Sequence, residues 1–237
     1  MPDFVPLWKN GPVFAQSEQF KLSTDSILLA DFTNISQAKQ GIDLGCGAGI
    51  ISLLLLARSE KLRMTGLEID PEAAALAEAN MAENSLGERS LTVTGDIRCH
   101  RELFRAGSFD LAVANPPYFP ENSGLMSPKS ARAAARGELR CSLRELCEAA
   151  AFLLKTGGSF SVVHRSERLS ELLCTMSEYS LEPKRLRLVQ HRISAAPSLV
   201  LVEGRRGGKP GLKVEPTLIL TDENRKETEE YRRIYHK

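Results

Sequence analysis

Three glycines at alternating positions, Gly45, Gly47 and Gly49 in the stretch DLGCGAG, do most to narrow what this chain can fold into. A short apolar run, QGIDL, precedes them, and a longer one, IISLLLLARSE, follows. A glycine-rich turn from a strand into a helix lets a ligand approach the backbone and the helix N-terminus closely. The spacing is Gly-x-Gly-x-Gly, not the Gly-x-Gly-x-x-Gly of a dinucleotide site, and the Gly-Lys-Ser/Thr of a P-loop is missing. This disfavours a nicotinamide-dependent oxidoreductase. Asp43 stands just before the glycines, where a pyrophosphate site has no use for a negative charge. It is suited to accept hydrogen bonds from a cationic amino-acid group. Cys46, inside the turn, serves as a small residue.

Downstream, strand-like and helix-like stretches alternate. LRMTGLEID reads as a strand, PEAAALAEANMAENSLG as a helix with Pro71 in its first turn, and SLTVTGD and SFDLAVANPP as further strands. SLRELCEAAAFLLKTGG reads as a helix stopped by glycine, SFSVVH as a strand and SERLSELLCTMSEYS as a helix. This alternation predicts an α/β fold with a doubly wound, mostly parallel sheet. The last two strands, PKRLRLVQH and APSLVLVEGRRGG, are joined by a loop alone, which predicts an antiparallel C-terminal edge hairpin. The expected organisation is an N-terminal segment, residues 1–39, that caps the ligand site at the glycine turn, a main domain over 40–220 and a polar tail over 221–237, docked as a helix or left as a mobile end.

The net charge of +1 argues against a general polyanion binder, so any basic footprint must be local. The five cysteines form no Cys-x-x-Cys pair and suit reduced thiols in a cytoplasm. No signal-like segment and no membrane-length apolar run is evident. The four histidines fall in no metal-ligand spacing, so no metal is expected.

Two more acids fall at strand ends. Glu68 closes TGLE about 20 residues past the glycine turn, where a ribose-binding acid belongs. Asp70, followed by Pro71, suits a helix N-cap. Asp96, in TGDIR, is placed to take the amino group of an adenine. Asp43, Glu68 and Asp96 line the carboxyl edge of the sheet, where ligands bind in open α/β folds. Together they specify an adenosine bearing an amino-acid tail and no pyrophosphate, which describes S-adenosylmethionine.

The fourth strand ends in Asn115-Pro116-Pro117-Tyr118. In the order DLGCGAG, GLEID, GD and NPPY, these motifs resemble the class I, Rossmann-like S-adenosylmethionine-dependent methyltransferases, in particular the branch that methylates planar amino groups. An exocyclic amine on adenine is a poor nucleophile because its lone pair is delocalised into the ring. Accepting hydrogen bonds from both its N–H groups localises that pair. The Asn115 side-chain oxygen and the Pro116 carbonyl suit those roles. Proline pre-sets the loop, and Tyr118 offers a face on which a base can stack. The target base must be turned out of its own stack to reach such a pocket.

The whole chain is most similar to the tRNA adenine-N6 methyltransferases, and among them to those acting on the adenine 3′ of the anticodon in a valine tRNA. FKLSTDSILLADF, NPPYF, VVHRSERL, LVLVEGRRGG and the EYRRIY end carry this resemblance. It implies a tRNA partner; a monomer or homodimer is expected, and the short apolar runs predict no membrane partner. Thr24 and Asp25 are placed either against the cofactor or as caps of the helix SILLADF. Lys129, Arg132, Arg136 and Arg140 recur every three or four residues and form one basic stripe if helical. Arg205 and Arg206 lie in a second basic stretch running from Lys184 to Lys213. Both are expected RNA contacts through phosphate. Alternative acceptors are guanine N2 in ribosomal RNA, adenine in DNA and a protein glutamine amide. A different class altogether is an inactive RNA-binding paralogue.

Overall fold

Period-two alternation along the strands divides this protein into two apolar layers on either side of one sheet. The computed structural model describes residues 2–17, 22–116 and 141–237. The principal sheet contains β3 (Gln40–Leu44), β4 (Arg63–Glu68), β5 (Ser90–Thr94), β6 (Phe109–Ala114), β7 (Leu154–Arg165), β8 (Leu181–Arg192) and β9 (Leu199–Arg206). Their spatial order is β5-β4-β3-β6-β7-β9-β8. β3 to β7 are mutually parallel, and β9 is antiparallel to both β7 and β8. The winding reverses between β3 and β6, which opens a crevice at their carboxyl ends.

Leu111 and Val113 face a layer made by α1 (Thr24–Phe32) and α2 (Ile50–Ala57), with α3 (Pro71–Glu83) beside it. Ile42, Leu44, Ala112, Ala114, Phe160 and Val162 face the other layer, made by α5 (Leu143–Leu153) and α6 (Leu169–Glu178). A short helix, α4 (His100–Leu103), follows β5. α2 is buried along most of its length, as its unbroken run of leucine and isoleucine requires. No helix among the described residues is long and apolar enough to cross a membrane.

Two features depart from the sequence expectation. α5 stops at Leu153, and β7 starts at Leu154 rather than after the glycines. Leu154 is extended and buried, and it pairs with Phe109 before a register shift in which Gly157 adopts a φ of 81°. The C-terminal hairpin is also not the sheet's last element. Two short strands, β10 (Lys213–Val214) and β11 (Leu218–Thr221), run parallel to β8 on its outer side. The tail then forms α7 (Glu229–Ile234), capped by Thr228 and tied to β8 by an Arg187–Glu230 ion pair of 2.8 Å.

The N-terminal segment forms a hairpin, β1 (Phe4–Pro6) with β2 (Val13–Ala15). Asn80, fully buried on α3, clasps it. Its amide nitrogen donates to the Ala15 carbonyl (3.0 Å) and the Ala48 carbonyl (2.9 Å), and its oxygen accepts from the Ala15 N–H (2.7 Å). Asn80→Ala strands these buried groups and is expected to cost about 2–4 kcal/mol. Urea unfolding measures this, and a loss under about 0.5 kcal/mol would contradict the clasp.

Candidate active site

The glycine turn follows β3 and is hung from the tip of β4. Gly45 and Cys46 donate their N–H groups to the Leu67 carbonyl at 2.8 and 3.2 Å, and Gly47 donates to Glu68 Oε2 at 2.8 Å. Gly45, Gly47 and Gly49 all have positive φ, of 76°, 54° and 83°, a conformation costly for any residue with a Cβ. Cys46 is buried against Gly66, where an added Cβ would come within 2.6 Å of its sulfur. Burial and the nearby Asp43 and Glu68 hold its thiol protonated, so it packs and does not act as a nucleophile.

Strand parity places the polar residues. Asp43 pairs with Val113 on one side and Gly66 on the other. Asn115 and Glu68 each lie two residues beyond those partners, so both sit over the α1–α2 face on which Asp43 lies. They are separated by the width of β3, about 10 Å between backbones.

Asp43 is fully buried. Its Oδ2 accepts from the Ser52 hydroxyl at 3.0 Å, and its Oδ1 has no hydrogen-bond partner. Desolvation pushes its carboxyl up to about 7, against the pull of the hydrogen bonds from Ser52, and Glu68 adds a smaller upward push. An orphaned carboxylate oxygen at the root of a glycine turn fits a cationic donor such as an α-ammonium group and repels a pyrophosphate.

Glu68 is buried as well. Besides Gly47, it accepts the Asp70 N–H on Oε1 at 3.0 Å. Each oxygen keeps a lone pair for a vicinal diol. Asp70 caps α3, as its sequence context implies, accepting from Glu72 and Ala73. Ile69, between the two acids, is 37% exposed, an apolar side chain beside the crevice that sequence patterning did not single out.

Asp96 has a partner the sequence did not suggest. Its carboxylate accepts the Arg98 N–H at 2.8 Å and the Arg98 Nε at 2.9 and 3.0 Å, and forms an ion pair with the same guanidinium. Arg98 holds its carboxyl below the usual range. Asp96 therefore stays an ionised acceptor whose capacity toward a base is shared with Arg98.

Asn115 meets α1. Its amide nitrogen donates to the Ser26 hydroxyl at 2.9 Å and lies 3.5 Å from the Ser23 hydroxyl. Ser23, not Thr24 or Asp25, is the N-cap of α1, accepting from the Ser26 N–H at 3.2 Å. Thr24 and Asp25 are half-buried in the first turn, and Thr24 faces the C-terminal part of the chain. Pro116 follows at the rim. Pro117, Tyr118, Lys129, Arg132, Arg136 and Arg140 lie outside the described residues.

Arg205 and Arg206 are not brought to this edge. β9 runs against β7, so its last residues lie beside the start of β7: Arg205 pairs with Ser159 and donates to the Gly157 carbonyl at 2.7 Å, and Arg206 donates to the Leu154 carbonyl at 3.0 Å. They stand at the opposite end of the sheet from Asn115.

The sheet and its crevice define a methyltransferase fold. A predicted O-methyltransferase, Atu636 from Agrobacterium tumefaciens, superposes with a TM-score of 0.72 over 90% of this chain and 96% of its own, at 20% identity. The methyltransferase small domain model matches residues 6–178, and the chain belongs to that family, whose methyl donor is S-adenosylmethionine. Two relatives carry the name tRNA1(Val) (adenine(37)-N6)-methyltransferase. That of Porphyromonas gingivalis is 33% identical over 86% of this chain and 82% of its own. That of Tolumonas auensis is 32% identical over 89% and 86%.

Proposed function

We propose that this protein methylates the exocyclic N6 of an adenine in tRNA, and that the target is the adenine 3′ of the anticodon in a valine tRNA. The observation that carries the chemistry is the amide of Asn115, held at the tip of β6 on the sheet face that bears Asp43 and Glu68. The names of the Porphyromonas and Tolumonas relatives support the nucleotide. Its free thiols suit the cytoplasm as the place of reaction.

Asp43 would hold the amino group of S-adenosylmethionine where the side-chain-free glycine turn lets the ligand approach the backbone, with Glu68 on its ribose and Asp96 with Ile69 toward its base. When bound, this donor supplies an electrophilic methyl group. The chain's own part is to present the amine. Ser26 and Ser23 take the nitrogen of the Asn115 amide, so the acceptor oxygen lies at the other end, away from α1. That oxygen and the Pro116 carbonyl accept the two N–H groups of the adenine amine and turn its lone pair out of the ring. No strong base is needed, because proton loss can follow transfer. Orientation in the crevice supplies a large share of the rate, about 7–11 kcal/mol in well-aligned systems.

The test is transfer of labelled methyl from S-adenosylmethionine to separate tRNA, ribosomal RNA, DNA and protein pools, followed by nucleoside mass spectrometry. N6-methyladenosine in tRNA is expected. A valine tRNA transcript with guanine in place of the adenine 3′ of its anticodon should accept no label. Label confined to guanine, DNA or protein would overturn the proposal.

A further inference from the structure

Antiparallel pairing sends the two ends of the C-terminal hairpin to opposite rims. The end of β9 goes away from Asn115, and the end of β8, His191 and Arg192, comes toward its side. The register runs from Ala114 to Val162, then Val163 to Leu201, then Leu201 to Arg187. Arg187 is thus level with Asn115, and Arg192 projects five residues beyond it, about 17 Å. β11 pairs Thr221 with Arg192 and leads into the turn that carries Arg225. Between these tips, α1 and α7 lies an open groove of about 680 Å³, whose wall includes Thr24, His191, Arg192, Arg225, Glu227 and Tyr231.

The charges of this wall are unbalanced. Nearby arginines are matched by acids: Arg185 by Glu203 and Glu215, and Arg187 by Glu230. Arg192 and Arg225 are exposed and form no ion pair among the described residues. Glu227, the acid on the groove wall, is neutralised by Lys237. Asp222 is turned into its own loop, where it accepts the N–H groups of Asn224 and Lys226. Thr24 joins the groove to the site, since its neighbour Ser23 lies 3.5 Å from the Asn115 amide.

We propose that this groove holds the phosphodiester backbone of the RNA beside the target base, with Arg192 and Arg225 each neutralising a phosphate. Such contacts set register and orientation without reading sequence. The inference rests on the tRNA assignment above and gives that substrate a path across the molecule, along β8 and β11 rather than past Arg205 and Arg206.

The experiment measures binding of an unmodified valine tRNA transcript by fluorescence anisotropy across a salt series. Arg192→Ala with Arg225→Ala is expected to weaken binding tenfold or more and to reduce the salt slope by about 1–2, the value for two lost phosphate contacts. The KM for tRNA should rise while calorimetric affinity for S-adenosylmethionine stays the same. Arg192→Gln with Arg225→Gln should behave alike, and the paired lysine variant should keep most of the slope. Arg105→Ala, an exposed arginine before β6 at the other end of the sheet, should change neither quantity. If the wild type binds and methylates tRNA but the alanine and glutamine pairs keep its affinity and slope, the groove is not the path. If the wild type neither binds nor methylates any tRNA, the substrate assignment itself fails.

Discussion

Asn115→Ala is expected to lower kcat by about 10²–10³-fold, the usual cost of losing one preorganised group aimed at charge that develops during reaction. Donor affinity should stay within about twofold, because the glycine turn, Asp43 and Glu68 are untouched. The same geometry makes Ser26 a positioning residue. Its hydroxyl takes the Asn115 amide nitrogen and is itself buried, so Ser26→Ala removes the partner that decides which end of the amide meets the amine. A drop in kcat of about tenfold with little change in KM is expected, since one neutral hydrogen bond contributes about 0.5–1.5 kcal/mol. Ser26→Thr, which keeps the hydroxyl, should recover most of it. Full activity in Asn115→Ala would remove the amide from the chemistry. Loss in Asn115→Ala together with normal kinetics in Ser26→Ala would show that the hydroxyl does not orient it.

Donor affinity should depend on pH through Asp43. Its carboxyl is pushed up to about 7 in the free protein, so it is largely protonated at lower pH, and only the carboxylate attracts a cationic amino group. Calorimetry between about pH 6 and 8 should show the dissociation constant rising toward tenfold per unit as pH falls below 7 and levelling above it. Asp43→Asn should flatten this dependence and weaken binding at the upper end by about 10–100-fold, the range for a lost charged hydrogen bond. Stability carries the opposite sign. The folded protein retains a proton that the unfolded chain has already released between about pH 4 and 7, so the free protein loses stability as pH rises through that window. The loss reaches about 4 kcal/mol for a shift of this size, and Asp43→Asn should abolish it. An affinity that is flat from about pH 6 to 8 in the wild type would place the cationic group elsewhere.

The acids at strand tips were legible in the sequence because a strand followed by a glycine turn specifies both residue and location. Asp43 and Glu68 follow from pattern alone, as does Asp70 beneath Pro71. What stayed hidden depends on contacts between distant segments. Nothing near Asn115 in the sequence points to Ser26, which lies 89 positions away. The pairing of Asp96 with Arg98 is a local exception, made by the 3-10 turn Ile97–Cys99 that Asp96 caps. Ser23 caps α1 where Thr24 and Asp25 were the candidates, because several adjacent polar residues can each cap a helix and the entry angle of the chain chooses among them. The placement of Arg205 and Arg206 carries a more general lesson. The antiparallel hairpin was itself foreseeable, and a hairpin necessarily carries the ends of its two strands to opposite rims. The basic residues at the start of β8 and the end of β9 therefore share the far rim, and Arg192, at the end of β8, is carried to the rim of Asn115. The strands β10 and β11 were missed for a simpler reason: Lys213–Val214 and Leu218–Thr221 are too short to show a period.

The Asn80 clasp implies long-range communication within the molecule. One amide grips both the first hairpin and the Ala48 carbonyl of the glycine turn, the loop proposed to cradle the methyl donor. Peeling away the opening fifteen residues would therefore slacken the cradle. Enzyme trimmed at its front end should hold the donor more weakly, and donor-saturated enzyme should in turn shield that front end from proteases.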